Sequence, residues 1–181
     1  MKKALKITAI ILVILFLFRG VLYRYTITYT PIKERKSIPL IDKKVIAAIE
    51  KEIGSEQLDL QKIVNISTKI TNQYLKFTFQ RASNNPNKIV LTGKGNCIGY
   101  AALFSAVANY LINKAEGQDR FQSKHLVGKL DFLGIDLNAL FTSPFYKNHD
   151  YNLIEDKKTG VVLLIDPSLD DYLYLGAKIL N

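Results

Sequence analysis

The side chains able to make and break bonds in this sequence are few: one cysteine, Cys97, and two histidines, His125 and His149, among 181 residues. A lone thiol forms no intramolecular disulfide, and one Cys with two His is poor material for a zinc site. That leaves nucleophilic chemistry. A thiol attacks carbonyl carbon well only as the thiolate, which a helix N-terminus favours through its unpaired N–H groups and macrodipole. Cys97 follows Gly93-Lys94-Gly95-Asn96 and leads into the apolar run Ile98-Gly99-Tyr100-Ala101-Ala102-Leu103-Phe104. Asn96 is a natural N-cap, so the thiol is expected in the first turn of a buried helix. Gly93 and Gly95 would let a substrate backbone approach the sulfur. Taken alone, a cysteine on an apolar helix is more often inert core.

A base and its orienting group are legible further on. His149 opens the run His149-Asp150-Tyr151-Asn152-Leu153-Ile154-Glu155, in which residues 149, 151, 153 and 155 share one face of a strand. Residues 161–166 read as the next strand, and Asp166 ends it just before Pro167, which stops a ladder. A turn over Asp156-Lys157-Lys158-Thr159-Gly160 sets Asn152 near Leu163 or Leu164 and His149 near Asp166 or Pro167. A carboxylate beside an imidazole orients the ring and stabilises its cation. His125, just ahead of a β-like stretch, reads as an ordinary satisfied histidine. Tyr74 and Asn152 are outside candidates for supporting roles, with plain packing the alternative. Gly93-Lys94-Gly95 lacks the spacing of a phosphate-binding loop. Asp170-Asp171 reads as a solvated pair at a turn.

Three segments together resemble the transglutaminase-like thiol enzymes: Gly95-Asn96-Cys97-x-x-Tyr100-Ala101-x-Leu103-Phe104, then His149-x-Tyr151-Asn152, then Leu164-Ile165-Asp166-Pro167-Ser168. Their order, with 52 residues from Cys97 to His149 and 17 on to Asp166, is far more specific than any one of them. The resemblance implies a papain-like catalytic triad of Cys97, His149 and Asp166, working without cofactor or metal. It implies a peptidase or amidase, or a transglutaminase, acting on amide bonds of a protein or peptide substrate. Whether water or an amine resolves the acyl-enzyme is not in the motif. The rival reading is a non-catalytic, membrane-anchored binding module that keeps the same fold.

The elements that must position these residues suggest an α+β domain. Ile41, Val45, Ala48, Ile49 and Ile53 recur at helical spacing before Gly54, and Leu60, Ile63, Val64, Ser67, Ile70, Tyr74 and Phe77 line a second helix. Asn84-Asn85-Pro86-Asn87 reads as a turn. Helices first and strands afterwards predict a papain-like or transglutaminase-like core, with helices packed on an antiparallel sheet.

Ahead of it, residues 7–18 are almost purely apolar and follow a lysine-bearing start. No small-residue cleavage signal follows, so residues 1–25 are read as a signal anchor, with residues 7–23 spanning, Arg19 snorkelling, and Tyr23 and Tyr25 at the interface. Residues 26–40 read as a juxtamembrane linker, and residues 41–181 as the catalytic domain, expected outside the cytoplasm. Of the net charge of +9, five charges lie in residues 1–24. A basic tract beside an apolar anchor suits anionic lipid, so no nucleic-acid partner is expected.

Overall fold

The structure is a computed structural model that describes residues 2–54, 57–115, 117–140 and 147–180. The chain begins with two helices, α1 (Lys2–Leu17) and α2 (Arg19–Thr26), bent by 68° at Phe18. Arg19 donates to the Phe16 carbonyl, and Gly20 is a weak helix former, so the break falls where the ladder is least supported. The single span expected over residues 7–23 is therefore two pieces. Among the described residues no single helix is long and apolar enough to cross a membrane.

The segment expected as a linker is extended, but it is part of the sheet. Strand β1 (Ile27–Arg35) pairs antiparallel with β4 (Phe121–Phe132), with a register shift between Pro31 and Lys33. Proline lacks the N–H a central strand must donate, and β1 lies at the sheet edge, where that lack is tolerated.

Helices α3 (Lys43–Ile53) and α4 (Leu60–Tyr74) start at Asp42 and Asp59, whose carboxylates accept first-turn N–H groups. Helix α4 stops three residues short of Phe77, which lies in the short strand β2 (Lys76–Phe77). Asn85 caps α5 (Pro86–Thr92), so the expected turn cluster begins a helix instead. Strand β3 (Lys94–Gly95) pairs parallel with β2 and leads into α6 (Cys97–Lys114). Gly99, Ala101, Ala102, Ala106 and Ala108 keep α6 slender, and it is buried almost all round between α4 and the sheet.

The remaining strands are β5 (Ile135–Asp136), β6 (His149–Asp156), β7 (Val161–Ile165) and β8 (Lys178–Leu180), with α7 (Pro167–Leu173) between the last two. The main sheet has the order β1-β4-β6-β7-β8, with β5 on β4, and all its pairings are antiparallel. The chain is thus α+β, as expected. The expected order was incomplete, since one edge strand precedes the helices. Ile154, Leu163 and Ile165 join the helices in the main core. The alternate residues Tyr151 and Leu164 join Leu126 and Tyr29 in a second cluster. The long connection ahead of β6 includes residues 141–146, which lie outside the description.

Candidate active site

Cys97 is the first residue of α6, and the Asn96 side chain accepts the Gly99 N–H at 3.3 Å as its cap. Tyr100 secures this helix end from the next turn by donating to Asp171 Oδ2 at 2.6 Å. The two glycines ahead of the thiol also have structural duties. Gly93 ends α5 with a left-handed φ of 64°. A Cβ on Gly95 would press on Leu75 and the Tyr100 ring, each 3.2 Å away.

His149 lies at the start of β6 and Asp166 just past the end of β7. The loop is one residue shorter than expected, because Asp156 still pairs with Val161. Asn152 consequently faces Ile165 rather than Leu163 or Leu164. Continuing this register puts Asp166 across from Tyr151, on the strand face that His149 shares and diagonal to the ring. There His149 Nε2 donates to Asp166 Oδ2 at 2.5 Å. This leaves Nδ1 for the thiol, and Cys97 lines the same cleft as the His149 ring.

The electrostatics follow from that contact. Burial alone works against charge on His149, but the Asp166 charge and hydrogen bond, with Cys97 adding to them, raise its pKa well above 6.5. Burial likewise opposes ionisation of Asp166, and the His149 cation, with hydrogen bonds from His149, Tyr29 and Ser168, holds it below 3.8. The carboxylate uses its full accepting capacity. Oδ2 takes His149 Nε2–H and, at 2.8 Å, the Tyr29 hydroxyl; Oδ1 takes the Ser168 hydroxyl at 2.8 Å and the Leu169 N–H at 3.1 Å. Asp166 is thereby also the N-cap of α7. Ser168 was visible in the sequence as a hydroxyl two residues from the aspartate. Tyr29, 137 residues away in a segment read as linker, carried no signal in its spacing.

Asn152 and Tyr74 are packing residues. Asn152 is fully buried and donates to the Ala101 carbonyl, and Tyr74 donates to Lys44 O. His125 is satisfied, as expected, but it sits inside β4 rather than ahead of it. Its Nε2 meets Asp150 Oδ2 at 2.7 Å, and Arg35 completes a buried cluster on the same carboxylate. Asp170 and Asp171 are on α7, not at a solvated turn. Asp170 accepts the Gly176 N–H and Asp171 the Tyr100 hydroxyl. Arg19 and Tyr23 also differ from expectation. Arg19 Nε donates to Leu173 O at 2.5 Å, and Tyr23 is buried with its hydroxyl 2.7 Å from that of Tyr29.

Cys97 and His149 open into a cleft of about 670 Å³ whose walls include Phe77, Phe79, Leu130, Leu137, Leu169 and Tyr172. Among the described residues no three His, Cys, Asp or Glu side chains converge to hold a metal ion. No protein-family model, curated protein or solved structure matches the chain.

Proposed function

We propose that the chain is a cysteine-nucleophile acyl-transfer enzyme of transglutaminase-like, papain-like fold, acting on amide bonds of a protein or peptide. The observation that carries this reading is that Cys97 and His149 line one open cleft while Asp166, buried behind the ring, is hydrogen-bonded to His149. Its apolar walls suit an apolar stretch of substrate beside the scissile carbonyl.

The Cys97 proton passes to His149 Nδ1, and the sulfur forms a bond to the carbonyl carbon. The Cys97 N–H, one of the first-turn amides that a helix leaves without an internal acceptor, faces the developing oxyanion. The C–N bond breaks as His149 returns its proton to the leaving amine. Water or a second amine then attacks the thioester, giving its proton to His149, and the C–S bond breaks to restore the thiol. Asp166 keeps the imidazole in register throughout.

The apolar helix α1 serves as the membrane anchor in this reading, with the catalytic domain outside the cytoplasm. Its side chains from Ile10 to Leu17 are exposed.

The test is to incubate the full chain, in detergent, with a peptide library and a primary-amine probe, and read the products by mass spectrometry. Hydrolysed or amine-tagged peptides, lost in Cys97→Ser, are the expected result. A folded chain whose thiol resists alkylation at every pH would sink the reading and leave the binding module.

A further inference from the structure

We propose that Tyr29 and Tyr23 are positioning residues of this triad, forming a one-directional hydrogen-bond chain that ties helix α2 to Asp166 and through it to His149. The proposal rests on the triad reading and adds to it the part played by the membrane-proximal segment.

The direction of the chain follows from proton counting. A carboxylate only accepts, so the single Tyr29 hydroxyl proton goes to Asp166 Oδ2, 2.8 Å away. The Tyr29 oxygen is then left to accept, and the Tyr23 hydroxyl, 2.7 Å from it, must donate. Both donors to Oδ2, the Tyr29 O–H and His149 Nε2–H, thus compete for one charge. The tyrosine hydroxyl draws part of that charge away from the ring, and Tyr23 polarises the hydroxyl that does so.

The same helix also holds the other end of the element that carries Asp166. Arg19 donates to the carbonyl of Leu173, the last residue of α7, and Arg24 reaches Leu175 O at 3.4 Å. Helix α2 therefore contacts α7 at its C-terminal carbonyl and, through two phenols, at its capping carboxylate. Gly20 lies beside Leu175, whose carbonyl oxygen would be in ordinary contact, at 3.9 Å, with a Cβ placed there. Tyr23 is 7 % exposed and Asp166 3 %, so water does not substitute readily for either partner.

Cys97 is the only thiol, so iodoacetamide labelling of the full chain in detergent reports on this site alone. The rate is measured against pH for wild type, Tyr29→Phe, Tyr23→Phe and the double variant. His149→Gln identifies the limb that belongs to the imidazolium. Removing the Tyr29 hydroxyl concentrates charge on the ring, so Tyr29→Phe moves that limb upward by roughly 0.5–1 pH unit. Tyr23→Phe moves it the same way by less, and adds nothing in the Tyr29→Phe background, because Tyr23 acts only through Tyr29.

Profiles of both single variants that superimpose on wild type, with only the melting temperature lowered, overturn the proposal and leave the enzyme reading standing. An equal Tyr23→Phe shift in both backgrounds overturns the ordered chain. A wild-type profile with no His149-dependent limb defeats the triad and this proposal together. Phenylalanine keeps the Tyr29 ring on Tyr151, at a centroid distance of 4.7 Å, and Tyr23→Phe probes the same carboxylate from outside the site.

Discussion

Asp166 stands diagonally across from His149, one residue beyond the last pair of the β6–β7 ladder, and bonds it at 2.5 Å. The position that this register sets directly opposite His149 is Ser168, already inside α7. From its position past the ladder Asp166 can turn into α7 and cap that helix while its other oxygen holds the imidazole. One carboxylate thus joins the sheet end that carries His149 to the helix layer that carries Cys97.

Asp166→Asn tests the charge in that arrangement. The amide can still accept from Leu169 N–H, so the cap survives with a stability loss of about 1 kcal/mol. An amide N–H₂ facing the donors His149 and Tyr29 misorients the ring, and turnover falls by roughly 10³–10⁴. Steady-state rates with a peptide that the library assay identifies, beside a melting curve, check both. A fully active variant would remove Asp166 from the site.

The His149–Asp166 pair also makes stability depend on pH. His149 has a raised folded pKa, so its contribution is complete below the ordinary value of 6.5 and is lost as pH rises through the folded value. Asp166 has a lowered one, so its contribution is present above 3.8 and is lost as pH falls through the folded value. The stability gap between wild type and His149→Gln is therefore widest between 3.8 and 6.5 and closes on the alkaline side above the raised His149 value. Chemical denaturation across that range measures it, and a gap that widens with alkalinity would contradict the pairing.

Removal of α1 and removal of α2 should have different consequences. A chain starting at residue 18 keeps Arg19, Tyr23 and Arg24 in place and retains wild-type thiol reactivity. A chain starting at residue 27 loses those contacts and the buried Tyr23 ring, at a cost of about 2–4 kcal/mol. Urea unfolding of the two truncated chains compares them directly. Equal stability would mean that α2 merely rests on the domain.

Anchoring by α1 predicts that the full chain stays in the membrane pellet after alkaline carbonate extraction, with its N-terminus intact. The chain starting at residue 18 should move largely to the supernatant. Recovery of the full chain as soluble protein would count against the anchor.

Gly128 lies between β1 and β6, paired with Pro31 on one side and His149 on the other. A Cβ there would come 2.5 Å from Thr30 O and 2.9 Å from the Tyr151 ring, with backbone on one side that cannot yield. Gly128→Ala should cost about 2–3 kcal/mol and slow Cys97 alkylation by displacing the neighbouring strand. Its melting temperature and labelling rate are the measurements, and a neutral result would show that β1 can shift without disturbing His149.

The local elements around the site could be read from sequence because their signals are short-range. Asn96 before an apolar run places Cys97 at a helix start, and alternation followed by Pro167 places Asp166 at a strand end. Gly54 ends α3 for the same kind of reason, with a φ of 61°. What depends on partners far along the chain was not readable. Tyr29 and Asp166 meet across 137 residues, and nothing in residues 26–40 distinguishes an edge strand from a linker until β4 is present to pair with it. The same holds for α2, whose apolar and basic residues suit a bilayer interface as well as they suit α7. Composition determines that these side chains seek apolar surroundings and carbonyl acceptors. Only the packed fold, by bringing Leu173 and Tyr29 within reach of Arg19 and Tyr23, decided that protein groups supply them.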